Sequence, residues 1–283
     1  MSTVDNAAPS TLDATYELRP ADFDRVRQLI YQRAGISLQA GKQAMVYSRL
    51  SRRLRETGQA SFADYLKWLE SAGNDAEWQE FVNCLTTNLT SFFREEHHFD
   101  ALVDDLRARA SLGAGPLRLW CNAASTGEEP YSLAMTVVEA LGVSANVKIV
   151  CSDIDTKVLA TAQQGVYDAQ ARGLSPERLR RHFLRGKGVN AGSMRVRPEL
   201  TRLVEFRAFN LMSPSWSALG EAFDIVFCRN VMIYFDATTQ RRVLERMHSV
   251  MKPGGLLYVG HSENFTDARE HFRLRGKTIY ERV

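Results

Sequence analysis

Five short apolar runs follow one another after Pro116: LRLWC (117–121), VKIVCSD (147–153), LVEFRAF (203–209), FDIVFCRN (223–230) and LLYVGHS (256–262). They are rich in β-branched and aromatic residues, and mostly helical segments separate them. Strands that alternate with helices build a parallel sheet, so the class is α/β. The closing FRLRGKTIYERV adds a hairpin with Gly276-Lys277 in or near the turn. One gap is too long for a simple crossover. About forty residues lie between the second and third strands, from Val166 to Leu203. Their glycines and the alternating SMRVR predict a small inserted β-subdomain.

Upstream of Arg109 the period changes from strand to helix. Phe23, Val26, Leu29 and Ile30 make one helical face, closed by Gly35. Further helices are expected at about 42–56, ending at Gly58; from an N-cap at Ser61, with Asp64 three residues on; at about 75–85; and at about 97–109. SLGAGP (111–116) reads as a linker or a sharp boundary. The organisation expected is a disordered tail over 1–18, an all-α domain over 19–95 and an α/β domain over 96–283, with the insertion at about 166–203.

Whole-chain properties exclude several classes. No run of eighteen apolar residues exists, so no membrane-spanning helix is expected. The N-terminus has neither a basic start nor an apolar core, so it does not read as a secretory signal. Cys84, Cys121, Cys151 and Cys228 form no CxxC pair, and the last three lie in strand-like runs where buried thiols are usual. A reducing cytoplasm fits them. Net charge is only +3, so an acidic partner has to be argued from a local patch.

Function is read at the carboxyl ends of the strands, where ligands of open α/β sheets bind. The first strand runs into LRLWCNAASTGEEPYSL (117–133). Phosphate-binding turns are rich in glycine, but this one holds a single glycine, Gly127, followed by two acids, Glu128 and Glu129. The second strand ends at Asp153, an acid placed to accept hydrogen bonds from ribose hydroxyls, while Asp155 reads as a helix N-cap. Asn210-Leu211 after the third strand suits an adenine, with its polar edge and apolar faces. Arg229, Asn230, Tyr234 and Phe235 follow the fourth. A ribose-binding acid without a phosphate loop implies an adenosine compound lacking phosphate. S-adenosylmethionine meets that description, and its sulfonium and ammonium charges make acids in the turn favourable. Stabilisation of the helix dipole by the same acids, worth about 0.3–1 kcal/mol, is the alternative.

The run TNLTSFFRE (87–95), the turn AASTGEEPYS (123–132), SDID (152–155), Asn210-Leu211 and CRNVMIYF (228–235) occur together and in this order. In this the chain resembles the chemotaxis receptor methyltransferases, the CheR family, from about Arg19 to the end. The resemblance implies a helical N-terminal domain joined to a doubly wound, Rossmann-like S-adenosylmethionine methyltransferase domain with a β-subdomain insertion. It implies methyl transfer from S-adenosylmethionine to glutamates on the cytoplasmic helices of chemoreceptors, releasing S-adenosylhomocysteine, without a metal. Carried over by position, the cofactor contacts are Asn88, Thr90, Arg94, Glu128 or Glu129, Asp153, Asn210, Leu211, Arg229 and Asn230. Spacing does not choose between the two glutamates. Arg94, as a clamp on the cofactor carboxylate, and Tyr234 are expected beside the reacting atoms.

Two basic patches are the partner candidates. Arg49, Arg52 and Arg53 share a helical stripe with Glu56 in RLSRRLRE, suited to acidic receptor helices or to a solvated face. In the insertion, Arg195 and Arg197 are expected on one side of an exposed edge strand, where a receptor C-terminal peptide could add. RNA is disfavoured because RNVMIYF stands where an Asn/Asp-Pro-Pro-aromatic motif is expected, and the absence of GxGxxG disfavours a dinucleotide oxidoreductase. A cofactor-binding module without catalysis is the remaining alternative. A monomer without membrane insertion is expected.

Overall fold

The computed structural model describes residues 16–71, 73–113, 115–263, 265 and 269–283. The expected tail lies outside them up to residue 15. Contacts divide the described chain into two units, one of residues up to 33 with 37–85, the other of 34–36 with 86–283.

The first unit contains α1 (Pro20–Ala34, but for its last residue), α2 (Gln43–Thr57), α3 (Phe62–Leu69) and α4 (Asp75–Leu85). Local signals set the ends. Gly58 closes α2 in the left-handed conformation, its N–H bonded to the Arg55 carbonyl, and the Ser61 hydroxyl caps α3 by accepting from the Asp64 N–H at 3.1 Å. Phe23, Val26, Leu29 and Ile30 of α1 are buried, as their spacing requires. The arginine stripe of α2 is not a uniform surface. Arg53 is only 13% exposed; its Nη2 lies 2.5 Å from Glu77 Oε2, its Nη1 meets Glu56, and Tyr65 donates to Glu77 at 2.7 Å. Arg49 Nη1 donates to the Cys84 carbonyl at 3.3 Å. Both tie α2 to α4. Arg52, 73% exposed, pairs with Glu56 along the helix.

The second unit opens with α5 (His97–Ser111) and continues β1 (Leu117–Cys121), α6 (Glu128–Leu141), β2 (Val147–Asp153) and α7 (Thr156–Gln164). The insertion supplies β3 (Val166–Asp168), α8 (Pro176–His182), β4 (Phe183–Arg185), β5 (Ser193–Val196) and α9 (Pro198–Thr201). The core resumes with β6 (Val204–Ala208), β7 (Phe223–Cys228), α10 (Ala237–Val250), β8 (Met251–Val259), β9 (Phe272–Gly276) and β10 (Ile279–Arg282). Seven strands stand in the order β6-β2-β1-β7-β8-β10-β9; the first five are parallel and the terminal hairpin is antiparallel. Alternate residues serve opposite faces. Leu119, Cys121, Ile149, Cys151 and Phe227 pack with α6 residues such as Leu133, while Trp120, Val150, Val226 and Cys228 pack with Val243, Leu244 and Met247 of α10. After β1 the chain first builds β2 and β6 on one side, then crosses to β7 on the other. That switch point opens the crevice at the ends of β1 and β7.

Two expectations change. The boundary falls at residue 85 rather than 95, because Phe92 and Phe93 are buried in the α/β core against Tyr167, Phe183 and Phe99. The strand Ser193–Val196 is not an edge: the small sheet runs β3-β5-β4, so its backbone is hydrogen-bonded on both sides. Arg195 is exposed on it, whereas Arg197 lies beyond the strand as the N-cap of α9 and is half-buried.

The stripe can be tested by urea unfolding. Arg53→Glu should destabilise the helical unit by an amount approaching the roughly 3–5 kcal/mol of a broken buried pair, since it faces Glu77 with a like charge. Arg52→Glu should stay within about 1 kcal/mol of the parent. Equal midpoints for the two variants would mean that Arg53 is ordinary surface.

Candidate functional site

Six non-glycine residues of the described chain have positive φ, and four gather at the carboxyl edge of the large sheet: Phe93 (49°), Glu95 (58°), Ser125 (48°) and Asn230 (57°). Asparagine tolerates this region, but for a phenylalanine or a glutamate it costs on the order of 1–3 kcal/mol and persists only where surroundings enforce it. Strain of this kind collects at functional sites. Here it flanks Arg94 on both sides.

The turn after β1 is built on Asp153. Asp153 Oδ2 accepts the Ser125 N–H at 2.8 Å and its Oδ1 the Asp155 N–H at 2.9 Å. Burial pushes this carboxyl up to about 6, against the pull of its backbone donors. Gly127 turns the chain at φ 99°, where a Cβ would stand 2.5 Å from the Tyr167 hydroxyl and 2.9 Å from Ala162 Cβ. Only glycine fits. Asp155 caps α7 through Oδ1, and its Oδ2 accepts from Thr86 Oγ1 at 2.7 Å and Asn88 Nδ2 at 2.8 Å. Asn88 is thereby fixed beside the turn, and Thr90 lies two residues on, half-exposed.

The two acids of the turn have different partners. Glu128 Oε2 accepts from Thr126 Oγ1 at 2.6 Å. Glu129 Oε2 receives Arg229 Nη1 at 2.5 Å, and its Oε1 lies 3.3 Å from Cys121 Sγ. Arg229 is fully enclosed; its Nη2 donates to the Arg94 carbonyl and lies 3.3 Å from Glu95 Oε2. Glu95 in turn accepts the His261 N–H at 3.3 Å, and the proximity of Arg229 contributes to holding its carboxyl below the usual range against burial. Arg94 itself is half-exposed, with Nη1 donating to the Leu89 carbonyl at 2.9 Å. His98, adjacent to His97 in sequence, is buried with Nε2 against Thr278 Oγ1 at 2.9 Å and the Lys277 carbonyl at 3.1 Å; burial depresses it to about 4.

After β7 the segment Asn230–Met232 is gripped by a residue that sequence reading passed over. Buried Glu263 accepts the N–H groups of Asn230 (3.0 Å) and Gly260 (2.7 Å) on Oε2, and that of Met232 (2.8 Å) on Oε1. Tyr234 follows in a single 3₁₀ turn, partly exposed. On the other side Asn210 Oδ1 accepts the Met212 N–H at 2.8 Å, and Leu211 is buried. Asn122, directly after β1, is buried with its amide beside the Cys228 thiol. A polar residue ending an apolar strand was its sequence signal. Little local marked Glu263, which meets two of its three donors across about thirty residues of chain.

The sheet edge thus brings together Asp153 at the end of β2, Glu128 and Glu129 at the start of α6, Asn210, Leu211, Arg229 and Asn230 on the loops after β6 and β7, and Asn88 and Arg94 of the 86–96 segment. Arg49, Arg52 and Arg53 belong to the helical unit, and Arg195 and Arg197 to the insertion. Two family descriptions match this arrangement: "CheR methyltransferase, all-alpha domain" over residues 21–86, and "CheR methyltransferase, SAM binding domain" over residues 88–280. The chain belongs to the CheR methyltransferase family. It is 53% identical to the chemotaxis protein methyltransferase of Klebsiella aerogenes over 93% of this chain and 90% of that one. It is 51% identical to that of Escherichia coli (strain K12) over 93% and 91% of the two chains. It is 54% identical to chemotaxis protein methyltransferase 2 of Pseudomonas aeruginosa over 92% of each. The family domains meet between 86 and 88, next to the division of contacts at Leu85.

In this CheR-family fold Glu263→Gln keeps the side-chain shape but turns an acceptor oxygen into a donor facing backbone N–H groups. Each hydrogen bond to a charged group is worth about 1.5–3 kcal/mol, so scanning calorimetry should show a fall of several degrees in unfolding temperature. An unchanged temperature would show that the buried carboxylate does not secure the Asn230–Met232 segment.

Proposed function

We propose that the chain methylates glutamate side chains of bacterial chemoreceptors, with S-adenosylmethionine as donor, forming methyl esters in chemotaxis adaptation. The family match carries this reading, and the charge of the site supports it. Glu95 and Glu129 share one buried guanidinium, leaving an excess of one negative charge where the methionine half, with two cationic groups and one carboxylate, would lie.

Bound there, S-adenosylmethionine supplies an activated methyl group. Asp153 takes the ribose hydroxyls, Asn210 and Leu211 the adenine, and Asn88, Thr90 and Asn230 line the remainder. Glu128 or Glu129 would face the ammonium group, and Arg94 would hold the carboxylate by a charge-assisted fork. A receptor glutamate, with a reference pKa near 4.3, is already ionised at pH 7, so no general base is required. The protein's contribution is orientation and exclusion of water, with Tyr234 beside the incoming carboxylate.

For the receptor, Arg52 is the exposed member of the α2 stripe, with Arg55 beside it. Within the insertion, a receptor C-terminal peptide could add only at β3 or β4, the two edges of the small sheet. Such a tether would raise local substrate concentration toward the millimolar range.

Incubation with radiolabelled S-adenosylmethionine and receptor cytoplasmic fragments should place base-labile label on glutamate. Label on RNA, or binding without transfer, would overturn the assignment. The cofactor part has its own signature. Ribose hydroxyls donate to the ionised Asp153, so binding must expel its proton below pH about 6, and affinity for S-adenosylhomocysteine should fall by up to tenfold per pH unit there. Asp153→Asn should bind roughly ten- to a hundredfold more weakly at pH 7 and lose that pH dependence. A profile that is flat from pH 5 to 8 in the parent would take Asp153 out of the ribose site.

A further inference from the structure

We infer that Arg229 is a positioning residue for Arg94: its guanidinium clasps the strained corner from which Arg94 projects, and does not itself meet the cofactor. This rests on the reading that Arg94 holds the cofactor carboxylate, and it differs from the resemblance, which places Arg229 among the cofactor contacts.

The side chain is 0% exposed, so the guanidinium presents no surface to the crevice. Both Nη atoms are engaged by the protein's own chain, while Nε has no hydrogen-bond partner. Nη1 reaches Glu129 Oε2 at 2.5 Å; Nη2 reaches the Arg94 carbonyl and lies 3.3 Å from Glu95 Oε2; the plane stands 5.7 Å from the Phe99 ring. The carbonyl it holds belongs to the residue between the two strained positions, Phe93 and Glu95. On the Phe93 side the corner is fixed by packing and by the Phe93 N–H donating to Ser132 Oγ at 3.0 Å. On the Glu95 side the partners are the His261 N–H, Arg229 and the neutral His98 ring, whose Nδ1 lies 3.5 Å from Glu95 Oε2. Without the guanidinium, the left-handed conformation of Glu95 loses its main electrostatic restraint, and the Arg94 side chain loses its fixed origin. Arg229 follows directly on β7, which is hydrogen-bonded on both sides by β1 and β8, so the clasp refers Arg94 to the stiffest part of the sheet. Lysine cannot replace it, because an ammonium does not offer a planar fork to two acceptors about a guanidinium apart.

The test is a double-mutant cycle in S-adenosylhomocysteine affinity, measured by calorimetry on full-length protein, with thermal unfolding confirming that each variant is folded at the assay temperature. Arg94→Ala should weaken binding about ten- to a hundredfold, the loss of a charge-assisted hydrogen bond. Arg229→Lys should weaken it by about tenfold or more. Adding Arg229→Lys to Arg94→Ala should cost no more than about a further threefold, because the effect of Arg229 runs through Arg94. If the losses multiply, or if Arg229→Lys binds like the parent, the positioning role fails. Should Arg94→Ala leave affinity unchanged, it is the cofactor reading of Arg94 that fails. Glu95→Gln, which keeps the size of the anion on the same corner, serves if Arg229→Lys does not fold. It should weaken binding in the parent and not in the Arg94→Ala background, and equal weakening in both would overturn the inference.

Discussion

A buried guanidinium between two carboxylates and a backbone carbonyl organises this site. Removing Arg229, Glu95 and Glu129 from water is unfavourable for each alone, and the ion pairs recover that cost only in a well-defined geometry. The pairing therefore links three segments far apart in sequence: the 86–96 segment, the turn after β1 and the end of β7. The acids of the turn, unexpected where a phosphate would sit, follow from the same constraint. One is bound to an internal arginine and the other to its own turn, and the remaining negative charge suits a cation.

The sheet supplies the frame on which this linkage is stretched. Its switch point places β1 and β7 side by side, and carboxylates then bind backbone N–H groups of neighbouring loops. Asp153 holds the turn after β1, Asp155 holds both α7 and Asn88, and Glu263 holds the segment after β7. Such bonds carry the energetic load of strained residues like Phe93, Glu95 and Ser125. A second clamp of the same type secures the insertion. Glu139 on α6 receives Arg178 and His182 of α8, bonds that hold its carboxyl down at about 2 despite burial, and Arg178 covers the ring of Phe93.

Charge patterns are less legible in the sequence than apolar ones. The α2 arginines share a helical stripe, but a stripe says nothing of what faces it; Glu77 and the Cys84 carbonyl, both supplied by α4, take up Arg53 and Arg49. The alternation of Ser193–Arg197 correctly marked a strand, yet alternation reports exposure of faces and not of edges. Whether a strand is central depends on which others pair with it, and two three-residue strands, too short to be seen in sequence, enclose this one.

Sequence by itself determined the order of elements, their caps, the split into helical and α/β regions, and the residue types that end each strand. These depend on periodicity, on capping side chains and on glycine conformation, all of which act within a few residues. The motifs also gather at one edge of the sheet, the carboxyl ends of its parallel strands. What only the tertiary structure decided is the role of each charged group there. Arg229 and Glu129 are 100 residues apart, and Glu263 lies about thirty beyond the segment it holds. The strength of an ion pair or buried hydrogen bond depends on distance and desolvation, neither of which is a property of the linear chain.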